Sequence, residues 1–308
     1  MPRTQAHPKN LLEAVRYFSD LDTCTDFVAR LRWPNGPTCP RCAGSEYSYL
    51  TTRRLWKCKA CKRQYSVKVG TIFEDSPLGL DKWLPAVWLI ANSKNGISSH
   101  ELARAVGTTQ KSAWFMLHRI RLAMQTGSFN KLGGEVEIDE TYVGGKPANM
   151  HPAKRAQAMG STTSNKATVL GMVERGGRVR TEVVPDARRR SVEPHIHRHV
   201  EPGSTVYTDG LRSYQGLGSM YSHEVIDHAE AYVNGRVHTN TVESFWSLLK
   251  RSLHGTYVSV DPEHLFRYLD ERCFAFNLRD RTDYGRFEAV LRTVAGRRLT
   301  YADVTGRA

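Results

Sequence analysis

Four cysteines and three carboxylates carry most of the chemistry that the residues of this chain suggest. Cys39-Pro-Arg-Cys42 and Cys58-Lys-Ala-Cys61 are C-x-x-C pairs separated by fifteen residues. At that spacing two turns can bring four thiolates around one tetrahedral zinc ion, and a closed set of four leaves no position for a catalytic water, so the predicted role is structural. Cys24 and Cys273 stand alone and far apart, which argues against a disulfide framework. Among the acids, Asp139 lies in Val136-Glu-Ile-Asp-Glu-Thr-Tyr-Val143, whose alternation predicts a strand with buried neighbours. A carboxylate there needs a partner, often a metal. Asp209 follows Val206 and Tyr207 at a strand's end and precedes Gly210, the kind of edge where α/β sites collect. Glu243 falls on a helix opened by His238-Thr-Asn-Thr-Val242, with Asn240 three residues before it and Lys250 seven after on a similar face. Hard Mg2+ or Mn2+ ions prefer such oxygen ligands, and a pair of them can cleave a phosphodiester by activating the attacking oxygen and stabilising the leaving one. Taken singly, each acid is better explained as a helix cap, a turn residue or a surface charge than as a catalytic group. Glu137 and Glu140, flanking Asp139, are expected to point to the opposite face.

Basic residues surround these groups. Arg41, Arg53, Arg54, Lys57, Lys59, Lys62 and Arg63 crowd the cysteine pairs, and Arg53, Arg54, Lys57 and Lys59 are taken as phosphate contacts. Between Ile97 and Arg121 two short amphipathic helices flank Gly107. The second is expected to expose Gln110, Lys111, Ser112, His118, Arg119 and Arg121, and such a helix can enter a major groove, although an ordinary helical hairpin would share the pattern. Lys146, near the first acid, and Arg251, on the helix of the third, are placed to grip a DNA strand. Phe245 and Trp246 on that helix are expected to be core.

The elements that must position these groups follow from periodicity and breakers. Residues 10–33 read as an amphipathic helical entry that ends at Trp33-Pro-Asn-Gly-Pro37, and residues 39–72 as a small β unit. Helices return from Leu80 to about Gln125, with Ser99 and Thr108 as N-caps and Gly107 as a C-cap. After a linker at 127–134, strands are expected at 135–143, 168–174, 179–184, 204–209 and 222–226, with Arg175-Gly-Gly-Arg178 as a hairpin turn. Helices are expected at 192–200, 240–253 and 262–276. The predicted chain is therefore multidomain: a helical segment at 1–36, a zinc ribbon at 37–75, a helix-turn-helix domain at 76–130 and an α/β catalytic domain at 131–308.

Composition agrees. At 308 residues the chain exceeds the usual single-domain size. Its formal net charge of +13 attracts polyanions, of which nucleic acid is the commonest large one. The longest apolar stretch, around Trp83 to Ala91, is too short to span a bilayer and the N-terminus lacks a signal-peptide run, so a cytoplasmic protein without a membrane partner is expected.

Three stretches resemble a known family. Glu137-Ile-Asp-Glu-Thr-Tyr-Val-Gly-Gly-Lys146, Tyr207-Thr-Asp-Gly210 and His238-Thr-Asn-Thr-Val-Glu-Ser-Phe-Trp-Ser-Leu-Leu-Lys-Arg251 are similar to the signature of bacterial insertion-sequence transposases related to the Merlin superfamily, and Leu253-His-Gly-Thr-Tyr257 and Arg267-Tyr-Leu-Asp-Glu271 extend the likeness. The resemblance implies a zinc ribbon and helix-turn-helix followed by a ribonuclease-H-like domain. It also implies Asp139 and Asp209 as metal-binding aspartates and Glu243 as the third acid of a D-D-E site holding Mg2+ or Mn2+. Some members are described by an Asn and Lys pair, here Asn240 and Lys250, which leaves the third ligand open. The expected function is a DNA transposase that binds terminal inverted repeats and then cleaves and joins double-stranded DNA, element ends and target alike, as a homodimer or larger assembly. The alternatives are a DNA-binding regulator without catalysis and a nuclease that hydrolyses DNA and never joins it.

Overall fold

A computed structural model of the chain describes residues 7–125, 130–145, 166–226 and 237–306. It contains two compact units, one made of Met1–Gln125 with Asp280–Ala308 and the other of Thr126–Arg279.

In the first unit the helical entry is two helices. Asn10 caps α1 (Leu11–Tyr17) by accepting from the Glu13 N–H, and Asp20 caps α2 (Leu21–Arg32) by accepting from the Thr23 N–H. The Asp20 cap explains the break that apolar spacing alone conceals. A three-stranded antiparallel sheet follows, β1 (Tyr47–Leu50), β2 (Leu55–Cys58) and β3 (Gln64–Tyr65) in that order. Trp33, Trp56 and Tyr65 pack edge to face or stacked over it. Then come α3 (Leu80–Asn92), α4 (Ser99–Val106) and α5 (Gln110–Met124). The caps are Ser98 and Thr109, each one residue from its expected place, because both positions lie in doublets, Ser98-Ser99 and Thr108-Thr109, that residue type cannot separate. Gly107 ends α4 at φ +63°, a left-handed cap that a Cβ would disfavour.

The second unit is built on five strands, β4 (Glu135–Val143), β5 (Ala167–Glu174), β6 (Val179–Val184), β7 (Thr205–Asp209) and β8 (Ser222–Ile226). Their order is β6-β5-β4-β7-β8. The β4–β5 and β5–β6 pairs are antiparallel, whereas β4–β7 and β7–β8 are parallel. Helix α6 (Arg189–His199) precedes β7, and α7 (Asn240–Ser252) and α8 (Leu265–Asn277) follow β8. Each face of the sheet has its own core. Val136, Ile138, Leu170 and Met172 pack with Val192 and Ile196 of α6, while Val169, Val173 and Val179 pack with Val242, Phe245, Trp246 and Leu249 of α7.

The chain ends in α9 (Asp283–Arg292) and α10 (Tyr301–Thr305). These helices belong to the first unit, so the α/β unit stops near Arg279 rather than running to 308, and the three N-terminal pieces expected from the sequence make one body with this tail. Phe287 of α9 explains why: its ring lies 5.4 Å from Phe18, 6.0 Å from Phe27 and 5.2 Å from Trp88. Without it the apolar faces of α1, α2 and α3 would open to water.

Candidate active site and thiolate cluster

Two successive knuckles build the thiolate cluster. In the first, the Ala43 N–H donates to the Cys39 carbonyl and the Cys39 N–H to the Gly44 carbonyl; in the second, the Lys62 N–H donates to the Cys58 carbonyl and the Cys58 N–H to the Arg63 carbonyl. Ala43 and Lys62 occupy matching left-handed positions, at φ 56° and 62°. This repeated turn aims all four sulfurs at one point, with Cys39 Sγ 3.5 Å from Cys61 Sγ and Cys42 Sγ 3.6 Å from Cys58 Sγ. Sulfurs held about 2.3 Å from a tetrahedral zinc stand at such separations. Burial opposes ionisation of Cys39, yet the N–H groups of Arg41 and Cys42 bring its thiol down to about 6, and the Cys61 N–H lowers Cys58. Arg53, Lys57 and Lys59 are exposed around the cluster, whereas Arg54 is half-buried and paired with Asp22 at 2.6 Å.

On α5 the structure divides the expected surface. Gln110 and Lys111 are exposed and Ser112 is half-buried beneath the Thr109 cap. His118, Arg119 and Arg121 are buried, contrary to the expectation that they face solvent. The reason is that α5 packs against α3, α4, α9 and α10 and so lacks a free second face. Arg119 donates to the carbonyls of Ile72, Glu74 and Leu299 and stacks on Phe115, tying the chain's tail to its middle. Lys146 lies outside the described residues.

The acidic site is set by strand register. In the parallel β4–β7 pair Glu135 lies beside Thr205, Val136 beside Val206 and Glu137 beside Tyr207, after which the ladder ends. Continued two residues beyond the ladder, that register would set Asp209, the last residue of β7, opposite Asp139 on the α7 side of the sheet, and the charge of Asp209 does act on Asp139. Asp209 accepts from the Leu211 N–H at 3.1 Å as the chain turns away. Glu243 approaches from the first turn of α7 and is held by the Thr239 hydroxyl at 3.1 Å. Trp246, one turn on, donates its indole N–H to Asp139 at 2.9 Å, so the expected core residue also orients an acid. Its ring fits because the residue opposite Asp139 on β5 is Gly171: a Cβ there would stand 2.4 Å from the Trp246 ring.

Burial, reinforced by the charges of Asp209 and Glu243, pushes Asp139 up to about 6 despite the Trp246 bond. Glu140 is pushed up to about 7, by burial first and then by Asp209 and Asp139, against the Tyr214 hydroxyl that donates to it at 2.6 Å. Among the described residues, three ligand atoms lie within 4.8 Å of one another only at the four cysteines and at Glu182, His195 and His199, so the three acids stand further apart than that. Unneutralised carboxylates repel, and the all-oxygen donor set is of the kind that holds hard divalent cations. Asn240 and Lys250 are exposed on α7, Lys250 about 10 Å along the axis from Glu243 at the rise of an α-helix. Arg251 is exposed beside it.

Glu137 departs from expectation. It lies on the same face as Asp139, two residues away, as the period of a strand requires. It is fully buried and accepts from the N–H groups of Thr241 (2.7 Å) and Val242 (3.1 Å) and from the Thr241 hydroxyl (2.9 Å), so a strand carboxylate caps α7. Arg175 of the β5–β6 hairpin donates to Glu137 at 2.8 Å and to the His238 carbonyl at 2.9 Å, and its guanidinium lies 3.9 Å over the Tyr207 ring. This network locks the strand of Asp139, the strand of Asp209 and the helix of Glu243 together. Sequence reading missed Glu137, Arg175 and Gly171; the two-residue period was the signal available for the first.

Residues 131–277 match the family described as ISXO2-like transposase domain, and residues 19–64 match the transposase zinc-ribbon domain. A protein of Halobacterium salinarum, described as an uncharacterized protein in transposable element ISH50, is 29% identical over 279 residues, which cover 86% of this chain and 92% of the relative. An uncharacterized transposase-like protein of Haemophilus influenzae is 36% identical over 101 residues, covering 32% of this chain and 81% of the relative. The ribbon match and the converging thiols together make the cluster a structural zinc site. No helix among the described residues is long and apolar enough to cross a membrane. By the ISXO2-like match over the α/β unit, the ribbon match before it, the relative in a transposable element and the transposase-like relative, this chain belongs to the IS1595 family of insertion-sequence transposases that carry a zinc ribbon.

Proposed function

We propose that this transposase binds the ends of its element through the ribbon and the α4–α5 pair, read as a helix-turn-helix, and cuts and joins DNA at Asp139, Asp209 and Glu243. The observation that carries the reading is the β4–β7 register, which levels two aspartates under the helix bearing the third acid. Three antiparallel strands followed by two parallel ones, covered by helices on both faces, support a ribonuclease-H-like assignment for the second unit. Glu243 is preferred to Asn240 and Lys250 as third ligand, because its charge acts on Asp139 whereas Lys250 lies two helical turns away.

Asp139, Asp209 and Glu243 would hold Mg2+ or Mn2+, and the donor chemistry fits: three carboxylates, one desolvated and raised toward neutrality, gain most from a divalent cation. When bound, these ions activate the attacking oxygen and stabilise the leaving one. Trp246 fixes the rotamer of Asp139, Thr239 that of Glu243, and Glu137 anchors the helix between them. Arg53, Lys57 and Lys59 on the ribbon, Gln110 and Lys111 at the start of α5, and Arg251 on α7 are exposed where phosphates or base edges could meet them. Joining two element ends in one reaction implies a dimer or larger assembly on DNA.

The test is cleavage of a linear DNA carrying the element's terminal inverted repeats, with magnesium, followed by mapping of the nicks. Cuts at the repeat boundary that vanish in Asp139→Asn, Asp209→Asn and Glu243→Gln, with end binding intact in all three, are expected. Specific binding without any cut by the wild-type chain would favour a regulator.

A further inference from the structure

A second group of metal-ligating side chains lies on the other side of the sheet from α7. Glu182 projects from β6, an outer strand, toward α6, its neighbours Val184 and Leu170 lying in the core on that face. His195 and His199 are four residues apart on α6 and so share one helical face. His199 Nε2 lies 2.7 Å from Glu182 Oε1, and His195 Nδ1 lies 4.0 Å from Glu182 Oε2. One ligand atom from each residue falls within 4.8 Å of the other two.

We propose that Glu182, His195 and His199 form a second zinc site, which ties α6 to the outer strand β6. A simple Glu182–His199 pair does not account for the third residue. His195 Nδ1 is buried and makes no hydrogen bond, an arrangement that a ligand completes and that otherwise carries a desolvation cost. Burial lowers the pKa of His195 and so favours the neutral imidazole, the form that ligates a metal. Hydrogen bonding to His199 lowers Glu182 and keeps its carboxylate ionised. Two imidazoles and a carboxylate select zinc, or a neighbouring transition metal, over magnesium and calcium. All three side chains keep some exposure, at 32%, 22% and 14%, so an ion can enter and water can complete its coordination. Arg198 opposes a cation here through its charge.

The site is tested on the full-length protein with its ribbon zinc in place. Isothermal titration with zinc is expected to show uptake of a further equivalent per chain by the wild type. That uptake is lost in His195→Ala, His199→Ala and Glu182→Gln, while elemental analysis finds the ribbon zinc retained. His195→Ala is the decisive variant, because it leaves the Glu182–His199 pair intact, and circular dichroism verifies its fold. Cobalt added to Asp139→Asn, which disables the acidic site on the other side of the sheet, gives visible absorption without the near-ultraviolet band of a thiolate–cobalt bond, and that absorption is lost when His195→Ala is added. No uptake beyond the ribbon's equivalent, or equal uptake by folded His195→Ala, would overturn the proposal.

Discussion

At the scale of the residue, the site depends on one missing side chain and two raised carboxyl groups. Gly171 leaves room for the Trp246 ring, and Trp246 in turn holds Asp139. Gly171→Ala is expected to displace the ring, costing about 1–3 kcal/mol of stability as overpacking does, and to lower DNA cleavage more than end binding. Chemical denaturation and a cleavage assay measure the two effects, and unchanged cleavage would show that the indole bond does not matter. Asp139, at about 6 instead of 3.8, and Glu140, at about 7 instead of 4.5, bind their protons more tightly folded than unfolded. Their contribution to stability without metal is therefore full below those ordinary values and is lost as pH rises through 6 and then 7. A divalent cation at the acidic site needs Asp139 ionised, so the rise in melting temperature caused by magnesium should grow between about pH 5 and about pH 7. A rise independent of pH across that window would place the metal elsewhere.

At the scale of the element, helix α7 is where strand, hairpin and the proposed catalytic acid Glu243 meet. Glu137 caps it from β4 while Arg175 braces Glu137. Glu137→Gln keeps the shape but leaves Arg175 facing a neutral group, and removing one partner of a buried pair costs on the order of 3 kcal/mol. Thermal melts should show that loss, with cleavage falling further as Glu243 loses its fixed position; a melt matching the wild type would remove Glu137 from the scaffold. The strands of the second unit were legible because alternation and the Gly-Gly turn at 176–177 are local signals. So were the cysteine pairs. The buried arginines of α5 were not: a helix with one apolar stripe implies a wet opposite face, and only the fold shows that α9 and α10 cover it.

At the scale of the whole molecule, the chain's last thirty or so residues complete a core begun by its first. Phe287 meets Phe18 and Phe27 across most of the sequence, a pairing that no local pattern announces, which is why the domain boundary near 279 escaped sequence reading. A chain ending at Arg279 should lose the calorimetric transition of the N-terminal unit, whose apolar faces it leaves open; a transition retained at its original temperature would refute that architecture. The charge of +13 fits an enzyme of DNA, and the family match fits a transposase, but joining is what separates transposition from hydrolysis. The most direct measurement is strand transfer of a labelled, pre-cut element end into plasmid DNA with magnesium. If the three acids form the site of transposition, the wild type yields joined product and Asp139→Ala, Asp209→Ala and Glu243→Ala yield none, with end binding retained by all three. Hydrolysed ends without joined product, or joining that survives loss of any one of these acids, would contradict that reading.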